Sequence, residues 1–329
     1  VSVNVAVIGS GSWGSAFARH LSRRGHRVTV LTLTAAEAAE LAERRENVAF
    51  LPGVRLPDDV RFAAMADADI AEAAIVVYAV PTQAVREVAA WVAPRRAEGS
   101  LQLSLAKGFE LGSLERPTEV IREVTGAPAA ALSGPNHAEE IGRDMPSATV
   151  IASYDMTVAE RLQQAVAGDT LRVYTNDDVL GVESCGAMKN PIAVAVGMSD
   201  GLGFGDNSRA ALMTRGLAEM ARVGLAQGAR FETFSGLAGI GDLIATCTSR
   251  HSRNRHAGEL LAGGATPDEA AAEVGQVVEG FPTAYALHDL AARYAVEIPV
   301  TANVYEVLEG RRTPSECVAD LMGRLPKRE

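Results

Sequence analysis

A short β-branched run, Val3-Asn4-Val5-Ala6-Val7-Ile8, ends directly on Gly9-Ser10-Gly11-Ser12-Trp13-Gly14, and a helical pattern follows from Ser15 to Arg24. No other feature of the chain narrows its fold as much. Continuous apolarity over the run is what a strand covered on both faces shows. Between a strand and a helix, glycines at this spacing have separate uses. Gly9 permits a tight turn, Gly11 lets the backbone approach a pyrophosphate, and Gly14 allows close packing of helix on strand. The helix start adds free N–H groups and the positive end of a dipole. Gly25-His26 stops this helix. Residues 27–33 read as a second strand and 35–45 as a second helix. A turn that merely needs glycines is the plainer reading, but the βαβ context favours a dinucleotide site.

The alternation continues. Residues 74–80, 101–105, 129–132, 148–152 and 171–174 are strand-like, and a helix follows Pro81 as far as Val92. Strands alternating with helices predict a mostly parallel, doubly wound α/β sheet. After Asp177 the pattern changes to long segments rich in alanine, leucine and methionine, at 179–196, 209–227, 282–294 and 301–308. No convincing strand lies beyond Thr175. Two domains are therefore expected within the 329 residues: a dinucleotide-binding domain over 1–180 and an all-helical, substrate-binding domain over 181–329.

A formal net charge of -10 argues against nucleic-acid or anionic-membrane binding, which needs a basic surface. Three scattered cysteines (Cys185, Cys247, Cys317) without a CxxC pair fit a reducing compartment and no structural metal. No secretory leader and no bilayer-length apolar run are visible, so a cytoplasmic location and no membrane insertion are expected.

Against the acidic background, the segment Ser249-Arg250-His251-Ser252-Arg253-Asn254-Arg255-His256 holds three arginines, two histidines and no acid. Guanidinium forks and amide donors suit a small phosphorylated ligand; a solvated basic helix start is the plainer alternative. Just upstream, a glycine-rich apolar run carries one carboxylate, Asp242. Lys189 and Asn190 interrupt a small, apolar helical stretch, where a lysine either snorkels or works. Lys107 follows the strand at 101–105, on the side of an open sheet where ligands bind. Leu132-Ser133-Gly134-Pro135-Asn136 ends another strand in a glycine turn able to expose backbone donors. The acid that commonly follows the second strand is missing: Leu31-Thr32-Leu33-Thr34 offers neither carboxylate nor arginine, so neither NAD nor NADP is selected.

Seven motifs carry a resemblance over essentially the whole chain: Gly9–Gly14, Ala106-Lys107-Gly108, Ser133-Gly134-Pro135, Gly186-Ala187-Met188-Lys189-Asn190, Gly241-Asp242-Leu243, Ser252-Arg253-Asn254-Arg255 and Gly275-Gln276-Val277-Val278-Glu279-Gly280. Taken in order, they resemble the bacterial NAD(P)-dependent sn-glycerol-3-phosphate dehydrogenase family. The resemblance implies a Rossmann-like domain followed by an all-helical C-terminal domain. It implies NAD or NADP as cofactor, dihydroxyacetone phosphate or sn-glycerol 3-phosphate as substrate, and a homodimer formed through the helical domain. Lys189 would accept the proton of the C2 hydroxyl, with Lys107, Asn190 and Asp242 around it. Gly134, Asn136, Thr246, Ser252, Arg253 and Asn254 would complete the substrate site. Gly9, Gly11, Ser12, Trp13, Gly14, Leu33, Lys107, Ala138, Arg253, Val277 and Glu279 would line the cofactor site. Leu33 stands where many members place arginine or histidine, and Asn136 where threonine is common.

The chemistry so implied is reversible hydride transfer between the nicotinamide and C2 of the substrate, in support of glycerophospholipid synthesis. Lysine ordinarily titrates near ~10.4, and a base useful near neutrality lies about 3 pH units lower. Asp242 opposes that change, so it is expected to orient Lys189. The histidines are expected to stand outside the chemistry, and Cys185 and Cys247 to be packing residues. Two other readings remain: a related two-domain dehydrogenase acting on a carboxylate substrate, and a nucleotide-binding sensor without catalysis.

Overall fold

The computed structural model describes residues 2–323; Val1 and residues 324–329, the outer ends of the two expected domains, lie outside the described residues. Two compact units are present: Val1–Lys107 with Glu115–Val182, and Gly108–Leu114 with Glu183–Glu329. The change of unit falls after Val182. Residues 108–114 group with the helical unit, an excursion that a division by chain order at 180 does not contain.

In the first unit the strands are β1 (Asn4–Ile8), β2 (Arg27–Thr32), β3 (Arg61–Ala64), β4 (Ile75–Tyr78), β5 (Leu101–Ser104), β6 (Ala129–Ser133), β7 (Ser147–Ala152) and β8 (Leu171–Asn176). The helices are α1 (Ser12–Arg23), α2 (Ala35–Arg44), α3 (Val85–Val92), α4 (Pro117–Thr125), α5 (Ala138–Gly142) and α6 (Met156–Val166). One sheet runs β3-β2-β1-β4-β5-β6-β7-β8. Every neighbouring pair is parallel except β6 and β7, which set the last two strands against the rest. The order reverses at β1, which pairs with β2 on one side and β4 on the other.

Burial explains the unbroken apolar character of β1. Val5 and Val7 pack with Phe17 and Leu21 of α1 and Leu162 of α6, whereas Ala6 and Ile8 pack with Val85 and Val88 of α3 and Ile121 of α4. Both faces are covered, as a parallel sheet with helices on each side requires. The edge strand β3, on which the sequence is silent, reads Arg-Phe-Ala-Ala, and only Ala64 in it is buried. It is too short and too exposed to leave a period.

The helical unit comprises most of α7 (Val179–Gly201), then α8 (Asp206–Gln227), α9 (Phe231–Phe234), α10 (Asp242–Thr248), α11 (Arg253–Ala262), α12 (Pro267–Val274), α13 (Gly280–Tyr294), α14 (Pro299–Leu308) and α15 (Pro314–Gly323). Among the described residues no strand follows β8. Residues 181–199 of α7 are all buried, as expected of a central helix apolar on every side. Helix α11 lies close on it: a Cβ on Gly258 would stand 2.1 Å from the Val194 carbonyl oxygen, and one on Gly197 would stand 1.9 Å from that of Arg255. Only glycine at both positions permits this approach.

Candidate active site

The first group of residues lies at the carboxyl end of β1. Gly9 has φ 106°, and its N–H donates to the Leu31 carbonyl at 2.9 Å. A Cβ there would meet the Ala79 carbonyl oxygen at 2.4 Å, and a Cβ on Gly14 would meet that of Gly9 at 2.0 Å. Turn and helix are thus locked against the sheet. Nothing lies within 4 Å of a Cβ built on Gly11, so the turn is open where a pyrophosphate would approach. Helix α1 starts at Ser12, after the N-cap residue Gly11, and presents the positive end of its dipole to the turn. Trp13 packs on Phe17 with ring centroids 5.5 Å apart, and its Nε1 is buried without a hydrogen-bond partner. Turn, open space and helix start together fit a dinucleotide.

Two side chains that the sequence does not single out brace this turn. Asn47, buried beyond the end of α2, donates to the Ser10 carbonyl at 2.5 Å and to Ser15 Oγ at 2.9 Å. Glu37 accepts from the Ser10 hydroxyl. Leu33 is 83 % exposed.

A second group sits at the carboxyl ends of β5 and β6. Lys107 Nζ donates to the Gly134 carbonyl at 3.1 Å and to Asn136 Oδ1 at 3.0 Å. Asn136 Nδ2 donates in turn to Thr149 Oγ1 at 3.1 Å, and that hydroxyl donates to the Ser133 carbonyl at 2.9 Å. The antiparallel pairing of β6 with β7 brings Thr149 there. Ala138 is the buried first residue of α5. Lys107, Gly134 and Asn136, distant in sequence, therefore form one hydrogen-bonded set.

The third group belongs to the helical unit. Lys189 on α7 is 6 % exposed and Asp242 is 2 % exposed. Lys189 Nζ donates to Asp242 Oδ1 at 2.5 Å and to Thr246 Oγ1 at 2.6 Å, while the threonine hydroxyl donates to Asp242 Oδ1 at 3.2 Å. Asp242 and Thr246 are four apart on α10 and so share a face. Asp242 is also the first residue of that helix, directly after the π-helical turn Leu237–Gly241, where the dipole favours a carboxylate. The carboxylate pairs with the buried ammonium of Lys189 and fixes its direction.

The close crossing of α7 and α11 continues this group. Asn254 Nδ2 donates to Asn190 Oδ1 at 3.0 Å, and Asn254 Oδ1 accepts from the Gly280 N–H at 2.9 Å. Ser252 caps α11 by accepting from the Arg255 N–H at 3.2 Å. Arg253 is exposed on the first turn, and its Nη1 donates to Gln276 Oε1 at 3.2 Å. Arg255 is turned away into ion pairs with Asp200 at 2.7 Å and Glu259 at 2.8 Å. Val277 is exposed, and Glu279 precedes α13 as its N-cap residue.

Cys247 is fully buried, and burial pushes its thiol up to about 12, so it is a packing residue. Cys185 is equally buried. His20 and His26 are held against the backbone carbonyls of Val166 and Ala165, at 2.7 and 2.9 Å. Among the described residues no helix is long and apolar enough to cross a membrane.

A mostly parallel sheet with an open glycine turn after its first strand, and a helical unit with a buried lysine–carboxylate pair, define an NAD(P)-dependent oxidoreductase of the two-domain type. Comparison with known proteins makes this specific. The profile described as "NAD-dependent glycerol-3-phosphate dehydrogenase N-terminus" matches residues 4–159, and the corresponding C-terminus profile matches residues 178–319. A curated relative from Pelotomaculum thermopropionicum, named glycerol-3-phosphate dehydrogenase [NAD(P)+], is 46 % identical over 328 residues, covering 98 % of this chain and 94 % of the relative. One of the same name from Moorella thermoacetica is 46 % identical over 321 residues, covering 98 % and 96 %. The crystal structure of glycerol-3-phosphate dehydrogenase from Coxiella burnetii superposes with a TM-score of 0.93 at 36 % identity, covering 98 % of this chain and 99 % of that one. The chain belongs to the NAD-dependent glycerol-3-phosphate dehydrogenase family.

Proposed function

We propose that this protein interconverts dihydroxyacetone phosphate and sn-glycerol 3-phosphate in the cytoplasm, with NAD(P)H as the hydride donor, as a homodimer serving glycerophospholipid synthesis. In this reading residues 1–180 bind the dinucleotide and residues 181–329 bind the substrate. The observation that carries it is the buried Lys189 ammonium, aimed by Asp242 at 2.5 Å and Thr246 at 2.6 Å.

When bound, the nicotinamide supplies or accepts the hydride; the chain's own residues bind, orient and move the proton. In the direction of reduction, Lys189 polarises the C2 carbonyl and gives its Nζ proton to the oxygen as the alkoxide forms. The amine left behind stays beside Asp242 until a proton returns from solvent. In the direction of oxidation, neutral Lys189 takes the C2 hydroxyl proton. Asp242 orients the amine in both directions. Asn190, fixed by Asn254, contributes hydrogen bonds to the substrate. Lys107, tied to Gly134 and Asn136, adds positive charge on the sheet unit and serves both ligands. Ser252, Arg253 and Asn254 bind the phosphate at the start of α11, where backbone N–H groups and a guanidinium suit an anion. Ser12, Trp13, Leu33, Ala138, Val277 and Glu279 line the cofactor.

A substrate panel tests this reading. NADH oxidation is expected with dihydroxyacetone phosphate and not with ketopantoate or small 3-keto acids. Preference for a carboxylate substrate would contradict it, and so would NADH binding without turnover of any of them. In the same assay R253A is expected to raise KM about tenfold or more and to lower kcat, because phosphate binding also positions the reacting carbon. An unchanged kcat/KM would return Arg253 to the solvated surface.

A further inference from the structure

The end of β2 carries no acid of its own, yet the fold delivers one from α2. Thr34 caps that helix by accepting from the Glu37 N–H at 3.2 Å, which fixes Glu37 in the first turn. From there Glu37 Oε1 accepts from the Ser10 hydroxyl in the glycine turn, and Oε2 accepts from the Leu33 N–H at 3.3 Å. One carboxylate thus joins the turn after β1 to the end of β2. A Rossmann fold receives the adenosine ribose of its dinucleotide at that place.

We infer that Glu37 makes this chain select NAD over NADP, its carboxylate accepting from the ribose 2′-hydroxyl and repelling a 2′-phosphate. The inference rests on the dinucleotide reading under Proposed function. A carboxylate has about four acceptor positions, so the two protein donors leave room for a ribose hydroxyl. A phosphate dianion brings like charge and no proton suited to the site. The neighbouring stretches of sequence carry nothing to offset that charge. No lysine, arginine or histidine occurs in residues 28–43, which lead from β2 through most of α2, or in residues 62–85, which follow from β3 through β4. The turn after β3 carries Asp67 instead. The first arginines beyond β2 are engaged elsewhere: Arg44 with Glu40 at 3.2 Å, and Arg45 with the Val60 carbonyl at 2.7 Å and over the Phe62 ring. An NADP site places an arginine near the 2′-phosphate, and here an acid stands at that end of the sheet.

Direct titration of the whole protein with NADH and NADPH, followed by calorimetry, tests this without recourse to activity. The wild type is expected to bind NADH at least about tenfold more tightly than NADPH. E37Q keeps one acceptor oxygen for the Leu33 N–H and an NH2 group able to donate to the Ser10 hydroxyl oxygen, but removes the charge. It is expected to bring the two affinities within about threefold, chiefly by gaining affinity for NADPH. Equal affinities in the wild type would overturn the assignment whether or not the variant folds. A preference unchanged in a folded E37Q would do the same. Both results leave dinucleotide binding intact. A wild type that binds neither cofactor would remove the dinucleotide reading and the assignment together.

Discussion

Lys189 and Asp242 are 53 positions apart, and neither shows its partner in its own stretch of sequence. As a buried pair they depend on each other: an ammonium in the interior requires a partner, and leaving one member alone is costly, about 3–5 kcal/mol. The carboxylate therefore makes a buried, directed lysine tenable. D242N is expected to lower kcat at least about tenfold with little change in NADH affinity, because it leaves Lys189 in place but undirected. Stopped-flow reduction of dihydroxyacetone phosphate, together with NADH titration, checks this. A loss confined to cofactor binding would move Asp242 out of the reacting centre. At this scale the sequence displays candidates without their partners. Lys107, Lys189 and Arg253 are visible as cations in unusual places. Asn47 and Glu37 are not, since each matters only because it folds back on Ser10 from the far side of β2.

Elements place these side chains. The crossing of α7 and α11 brings Asn254 to Asn190, and it exists because Gly197 and Gly258 let the backbones nearly touch. In an exposed helix, alanine in place of glycine stabilises by about 1 kcal/mol. At Gly258 the sign reverses, because the added Cβ would lie 2.1 Å from a carbonyl oxygen and force the helices apart. G258A is expected to lose about 1–3 kcal/mol in urea unfolding and to raise the substrate KM. Greater stability would show that the crossing yields readily.

A second element is held by a titratable group. Glu219 of α8 is buried and accepts from the Val300 and Thr301 N–H groups at the start of α14. Burial pushes its carboxyl up to about 7, against the pull of those donors. Between the ordinary 4.5 and about 7, the folded protein holds a proton that the unfolded chain has released. Stability from this group therefore falls as pH rises through that window. The Tm of the wild type relative to E219Q is expected to decline from pH 5 to 7 and then level off. A difference independent of pH would contradict it. Nothing in the local sequence marks Glu219, because its neighbours in space come from α14.

For the whole molecule, the alternation of strands and helices followed by helices alone is plain in the sequence, since both faces of β1 and all sides of α7 are covered. The parts that are not plain have physical reasons. The edge strand β3 buries one residue in four. The reversal of β7 and β8 is a matter of pairing, to which local periodicity is blind. Residues 108–114 join the helical unit through contacts distant in sequence. Charge acts at the same scale. With a net charge of -10, the chain must hold an anionic substrate through local cations, and the basic start of α11 supplies three arginines within six residues.

The most direct test concerns Lys189. In K189A, steady-state reduction of dihydroxyacetone phosphate by NADH is expected to fall at least about a thousandfold, while the Kd for NADH stays within about twofold of the wild type. Turnover within about tenfold of the wild type would place the proton transfer on another group and contradict a lysine-centred dehydrogenase.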